Sequence, residues 1–286
     1  MEEGTANAPR SFLTIPLRLY IALVGFIGGK ALSLVELLGG GLLLLFEASR
    51  WMWRALTSRR IRLGMPAIVS QMVRVGVRSI FIVSIVSGAV GLILALQLAP
   101  PLDDFGQKPL VANIIGVAVF RELGPLIGAV VLTGFAGAAI AAEIGTMVVS
   151  EEIEALEAHA LNPVRFLVVP RVTATIISMT ALAVISDLVS VVAALGISVT
   201  VLDIPYTTFM TNLLNQTKAI DFFTGVGKGT IFGALIGIIA CANGLKVTGG
   251  AAGVGNATTQ TVVQCVVAII FADLIFTAVF YFLHMF

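Results

Sequence analysis

The sequence predicts an all-α polytopic membrane protein with five membrane-crossing helices, and three observations carry that expectation. Hydrophobic residues make up 58% of the 286 and charged residues 12%, against roughly 45–50% and 25% in soluble domains. The mean hydropathy is +1.05. The charges also leave long gaps: stretches 79–99, 123–142 and 229–245 carry none, and 172–202 and 262–286 are interrupted only by Asp187 and Asp273. A helix needs about 20 apolar residues to cross the hydrocarbon, so each stretch is one span. The short fourth is extended outward by Phe222, Phe223 and Val226, past Lys228.

Taken from the N-terminus, MEEGTANAPRSF (1–12) opens acidic and lacks a signal-peptide pattern, so the spans themselves are expected to direct insertion. Residues 19–46 are apolar but interrupted by Lys30 and Glu36 and weakened by Gly28-Gly29 and Gly39-Gly40-Gly41. With RWMWR (50–54) closing them, they read as an amphipathic helix in the interface rather than a sixth span. Ten of the seventeen Lys and Arg precede residue 79. Short loops rich in Lys and Arg stay cytoplasmic, which puts the N-terminus inside. Alternation then places PPLDDFGQKP (100–109) outside, 149–171 inside, 202–221 outside, 245–261 inside and the C-terminus outside.

As one helix, 109–148 would be about 60 Å long, twice the hydrocarbon thickness, so a bend or break is expected at Gly124-Pro125. There the proline clashes with the carbonyl of Arg121 and cannot donate to it. Arg121 and Glu122, neighbours about 100° apart on a helix, do not easily neutralise each other and are expected to face a polar cavity. Glu143 lies near the inner end of its helix and is assigned a structural bond. Asp187 and Asp273 are either proton carriers or partners for basic or hydroxyl groups in the bundle.

VSEEIEALEAHALNPVR (149–165) crowds Glu151, Glu152, Glu154 and Glu157 into a short segment between two spans. Ser150 is placed to cap a helix whose first-turn glutamates oppose the positive end of the dipole, and Asn162-Pro163 ends it. Ile153, Leu156 and Ala160 make one narrow apolar stripe. The residues alone leave two readings, a solvated connector or a docking helix. In the fourth span, Gly225, Gly229, Gly233 and Gly237 recur every fourth position, small-xxx-small steps that let another helix approach closely. Each step drifts about 40° around the axis, so the stripe slants.

Several functions are excluded. A net charge of +1 without a basic tail offers nothing to nucleic acid. GVGKGT (225–230) is not a phosphate loop, because Phe222 replaces its first glycine and Gly229 its Ser or Thr. His159 and His284 are too far apart to suggest a metal site, and no nucleophile–base group marks an enzyme. Cys241 and Cys265 read as small apolar packing residues.

Two long stretches, FRELGPLIGAVVLTGFAGAAIAAEIGTMVVSEEIEALEAHALNPVRFLVVPR (120–171) and NGLKVTGGAAGVGNATTQTVV (243–263), resemble the MlaE/YrbE permeases, membrane subunits of Mce-type lipid ABC transporters. The resemblance runs from about residue 30 to the C-terminus. It implies a single permease domain over 1–286: a variable segment 1–29, an interfacial (elbow) helix 30–58 and a transmembrane region 65–286 containing a coupling helix at 150–161. Glu151, Glu152, Ile153, Glu154, Leu156 and Glu157 would then seat in a groove of a cytoplasmic ABC ATPase. That partner, not this chain, would use ATP and Mg²⁺. Further implied partners are a second copy of the chain or a paralogous permease, and an Mce-domain protein on the outer face.

The resemblance also implies a lipid cavity near Arg121 and Glu122. A guanidinium suits a phosphate, a structural role with both residues satisfied by neighbouring helices and backbone is the alternative, and Leu92, Leu96 and Val119 are candidate acyl-chain wall. The expected function is ATP-driven movement of phospholipid, or a related lipid, between a bacterial inner membrane and the outer envelope. The N-terminus would be cytoplasmic and the C-terminus periplasmic. The rival is a proton-coupled secondary transporter using Asp187 or Asp273.

Overall fold

The structure, a computed structural model, describes residues 25, 39–54 and 64–283. The chain packs as two units, 1–43 and 44–286. In the first, Gly25 and 39–43 are described and helical; the remainder of the segment assigned as variable, and the flanks of the expected 30–58 helix, lie outside the described residues.

The second unit is helical throughout its described length apart from short connections. Helix α1 (44–54) is followed by α2 (Met65–Val75), a 3₁₀ turn (Val77–Ser79) and α3 (Ile80–Asp104). Next come α4 (Val111–Ala118), α5 (Gly124–Leu132) and α6 (Ala138–Val149), then the short α7 (Glu152–Ala158). The chain closes with α8 (Val169–Thr200), α9 (Tyr206–Gln216), α10 (Ala219–Leu245) and α11 (Gly250–Phe282). Five helical stretches among the described residues are long and apolar enough to cross a membrane, and they coincide with the five charge-poor runs.

Helix α8 forms the centre, packed against α2, α3, α5 and α10, while α10 also packs on α6 and α11. Apolar side chains gain nothing by leaving lipid, so helices there associate through close approach and interhelical hydrogen bonds. The buried residues of α8 fit that demand, many being small or hydroxyl-bearing: Ala174, Thr175, Ser178, Ala183, Ser186, Ser190 and Ala194. Ser186 donates to the Gly124 carbonyl at 2.8 Å, Ser87 shares a 2.7 Å hydroxyl bond with Ser186, and Ser190 donates to the Ser87 carbonyl at 2.9 Å. One hydroxyl chain thus ties α3, α5 and α8.

The second span is not broken at Gly124-Pro125. A π-helical turn at Val119–Leu123 leads into α5, where Pro125 occupies the first turn. A second π turn, Val164–Val168, precedes Pro170 in the same way. In both, the carbonyl four residues before the proline (Arg121, Phe166) falls inside the π turn, whose wider winding makes room for the ring. A third, Thr133–Gly137, carries two glycines instead.

Three stretches read as loops are largely helical. Helix α3 continues through Pro100 and Pro101 to Asp104, since a proline φ near −65° is already helical, although the two rings forfeit hydrogen bonds and crowd the carbonyls four residues back. Residues 202–221 contain α9, which buries Phe209 and Leu213 against Val111, Ala112 and Ile115. Helix α11 starts at Gly250, so the inner loop shrinks to a turn in which Gly249 takes φ +85°, a left-handed value open to glycine. Ser150 does not cap α7. Its hydroxyl bonds back to the Thr146 carbonyl at 2.9 Å, closing α6, and Glu151 precedes α7 at φ +59°.

Candidate functional site

Two regions gather the candidate residues, one at each end of the bundle. At the first end, α6 and the Val164–Val168 turn hold α7 between them. Glu151, Glu152, Glu154 and Glu157 are all exposed and Ala160 lies beyond the helix, while Ile153 and Leu156 are half-buried. Ile153 packs on the bundle core. Leu156 instead joins Met147, Ala155, His159 and Leu161 around an open groove of about 360 Å³, with Glu152 at its edge. The apolar stripe is therefore divided: one residue anchors the helix inward and one remains presented. Asn162 bonds Glu47 at 3.2 Å, and Arg165 stacks on Trp51 at 5.4 Å, bringing α1 to the same end.

The opposite half holds the intramembrane charges. The second span starts beside the loop at 105–107, α10 starts at that same end and α11 finishes there, so residues a few turns from those ends share a depth. Arg121 and Glu122 each find partners on a neighbouring span. Arg121 Nε donates to Asp221 Oδ1 at 2.7 Å. The other oxygen of Asp221 accepts the Lys218 backbone N–H at 2.8 Å, so one carboxylate both caps α10 and pairs the arginine. Lys228, with 1% of its side chain exposed, reaches Glu122 at 2.6 Å, Asp273 at 2.9 Å and Thr277 at 3.1 Å. Thr277 in turn donates to Glu122 at 2.8 Å. Three spans are thereby joined through one ammonium, whose three donors are all used.

Asp273 thus partners a base, whereas buried Asp187 has neither oxygen hydrogen-bonded among the described residues and lies against Gly124. Glu143 takes Arg74 on one oxygen and Arg171 on the other, the latter at 3.2 Å. Val119 is fully buried against Ala95, Ala112 and Ile115 and so belongs to the core, not to a cavity wall, while Leu92 and Leu96 face outward on α3.

The glycine stripe runs along α8 for three of its four members. A Cβ at Gly229 would lie 2.9 Å from Ala183 Cβ, at Gly233 2.8 Å from Met179 Cβ, and at Gly237 3.1 Å from Val172 Cα. Gly225 faces the π turn instead, where an added Cβ would fall 1.9 Å from the Phe120 carbonyl oxygen. Lys228, Asp221 and Thr277 escaped the sequence reading. The available signal was spacing: Asp221 and Lys228 are seven apart and share a helix face, with Lys228 at the depth of Glu122 and Asp273.

Residues 68–279 match the family described as Permease MlaE. A probable ABC transporter permease of Rickettsia prowazekii is 35% identical over 214 residues, covering 75% of this chain and 83% of that protein. One from Synechocystis is 38% identical over 205 residues, 72% and 78% of the two chains. An Arabidopsis thaliana chloroplast protein named trigalactosyldiacylglycerol 1 is 31% identical over 213 residues, 74% of this chain and 61% of its own length. A multi-pass chain with five apolar helices and this likeness belongs to the MlaE permease family, among the ABC transporter permeases.

Proposed function

We propose that this chain is the membrane subunit of an ATP-driven transporter carrying phospholipid, or a related lipid, between a bacterial inner membrane and the outer envelope. The observation that carries the reading is α7: a polar helix too short to span, anchored by Ile153 and showing three glutamates and Leu156, with Glu151 just before it, to the aqueous phase. Such an element is suited to seat in a separate ATPase, since charge steers encounter and an apolar knob gives purchase. ATP and Mg²⁺ belong to that partner. A second copy, or a paralogous permease, covers the apolar side of α11, whose Val263, Ile270, Phe271 and Leu274 are outward-facing. An Mce-domain protein sits on the far face.

Within the chain, Arg121 and Glu122, held by Asp221 and Lys228, form the polar wall of the lipid path; Leu92 and Leu96 meet acyl chains. Proton coupling fits less well, because Asp273 cannot take up a proton without loosening the Lys228 cluster, which leaves Asp187 alone. The test is co-purification: with Glu151→Lys and Glu154→Lys together, the permease still inserts but retains less than a tenth of the ATPase. Full retention sinks the docking role.

A further inference from the structure

A small pocket with charged groups in an otherwise apolar lining opens between the first and second spans, in the half of the bundle that carries α7 and away from the Lys228 cluster. Gln71, Arg74 and Arg78 line it from the first span, and Ala139 and Glu143 from the second, around a volume of about 220 Å³. Its apolar floor is Val75, Ala136 and Ile140, each nearly fully buried, and Phe135 stands exposed at the rim. Each wall is in part irregular helix. Arg78 sits on the 3₁₀ turn after Gly76, and Phe135 and Ala136 belong to the Thr133–Gly137 π turn. Glu143 lies six residues before the end of α6, about 9 Å along the axis, and the uncharged run 79–99 starts directly after Arg78. The pocket is therefore at the edge of the hydrocarbon, at headgroup level.

Its charges are not equally occupied. Glu143 holds Arg74 on one oxygen and Arg171 on the other, which ties up that carboxylate. Arg78 is exposed and has no hydrogen-bond or ion-pair partner among the described residues. Gln71 Oε1 is buried and unbonded among them, so the lining of one pocket holds both a lone acceptor and a lone cation. A guanidinium presents a planar fork that matches a phosphate, and an amide oxygen calls for a donor. The volume is below the roughly 300–1,000 Å³ of pockets that enclose drug-sized ligands. It suits a headgroup whose chains lie outside, along Phe135.

We propose that this pocket binds the headgroup of a membrane phospholipid carrying a hydrogen-bond donor beside its phosphate. Arg78 grips the phosphate and Gln71 Oε1 accepts from the donor. The site is distinct from the lipid path proposed above, and it stands whether or not that reading does, because it needs only a membrane-embedded chain.

The test places the purified full chain, with any subunits that travel with it, in phosphatidylcholine nanodiscs containing a minor share of photoactivatable phosphatidylglycerol. Crosslinks are expected in peptides covering 71–78 and 135–143. Arg78→Ala lowers them about tenfold, the size of one lost charge-assisted bond, and Arg78→Lys restores part of the signal. Gln71→Leu removes the preference over an equivalent photoactivatable phosphatidylcholine, which has no donor to offer. Undiminished labelling in Arg78→Ala, or equal labelling by the two lipids in the parent chain, overturns the proposal. Displacement of the lipid label by millimolar inorganic phosphate would make this a soluble-anion site and overturn the lipid assignment. Should Arg78→Ala fail to fold, weaker labelling in Arg78→Lys and the lost preference in Gln71→Leu are the expected results, and parental labelling in both overturns the proposal.

Discussion

A lysine with 1% of its side chain exposed, in a span that otherwise reads as apolar, has to be neutralised where it stands. Lys228 meets that demand with two carboxylates and a hydroxyl, and Phe280 lies 6.0 Å from its ammonium. Removing it leaves Glu122 and Asp273 facing each other without a cation, and breaking a buried pair from one side costs about 3–5 kcal/mol. Lys228→Ala is therefore expected to lower folding stability by about that much, read as a fall in the unfolding midpoint in nanodiscs. Combining Lys228→Met with Glu122→Gln and Asp273→Asn should recover most of the loss, since no uncompensated charge remains. A Lys228→Ala protein as stable as its parent would show that the cluster is not structural. At this scale sequence reading went part of the way. It found Asp273 because a single charge stands out in an apolar run, and Arg121 and Glu122 because they precede the Gly124-Pro125 pair; it missed Lys228 because that residue lies at the end of its run and passed for a flank.

The spans themselves were legible because lipid demands an uninterrupted apolar helix. What the pattern hid were the joints and ends: three π turns, a 3₁₀ turn after Gly76, and helices running on through prolines and into polar stretches. A π turn has no composition of its own, and hydropathy marks where hydrocarbon stops rather than where the helix does. Packing between elements offers a sharp test. At Gly233 a Cβ would meet Met179 Cβ and the Thr175 carbonyl oxygen, both at 2.8 Å. Backbone cannot move aside, so Gly233→Val must push α10 off α8, with a cost of about 1–3 kcal/mol. Gly227 on the same helix is exposed with nothing within 4 Å. Gly227→Ala should be neutral or up to about 1 kcal/mol stabilising, through helix propensity alone. Equal effects of the two substitutions, measured by thermal unfolding, would mean that the close approach along α8 is not what holds the fourth span.

Over the whole molecule, the basic residues separate by end, and that separation decides orientation. Arg50, Arg54, Arg74, Arg78, Arg165, Arg171 and Lys246 lie toward the end that carries α7, whereas the opposite loops hold Lys108 and Lys218. Because short loops rich in Lys and Arg are retained in the cytoplasm, α7 is expected inside, where an ATPase can reach it, and the 105–107 loop outside. The fold makes this unusually simple to check. Cys241 and Cys265 are fully buried, so a membrane-impermeant maleimide finds little background in the native chain. Phe105 is 78% exposed at the tip of its loop, and His159 is exposed at the end of α7. Phe105→Cys should label in intact cells, and His159→Cys only once the membrane is permeabilised. The reverse pattern would put α7 beyond the reach of any cytoplasmic motor, and the proposed source of energy for transport would fall with it.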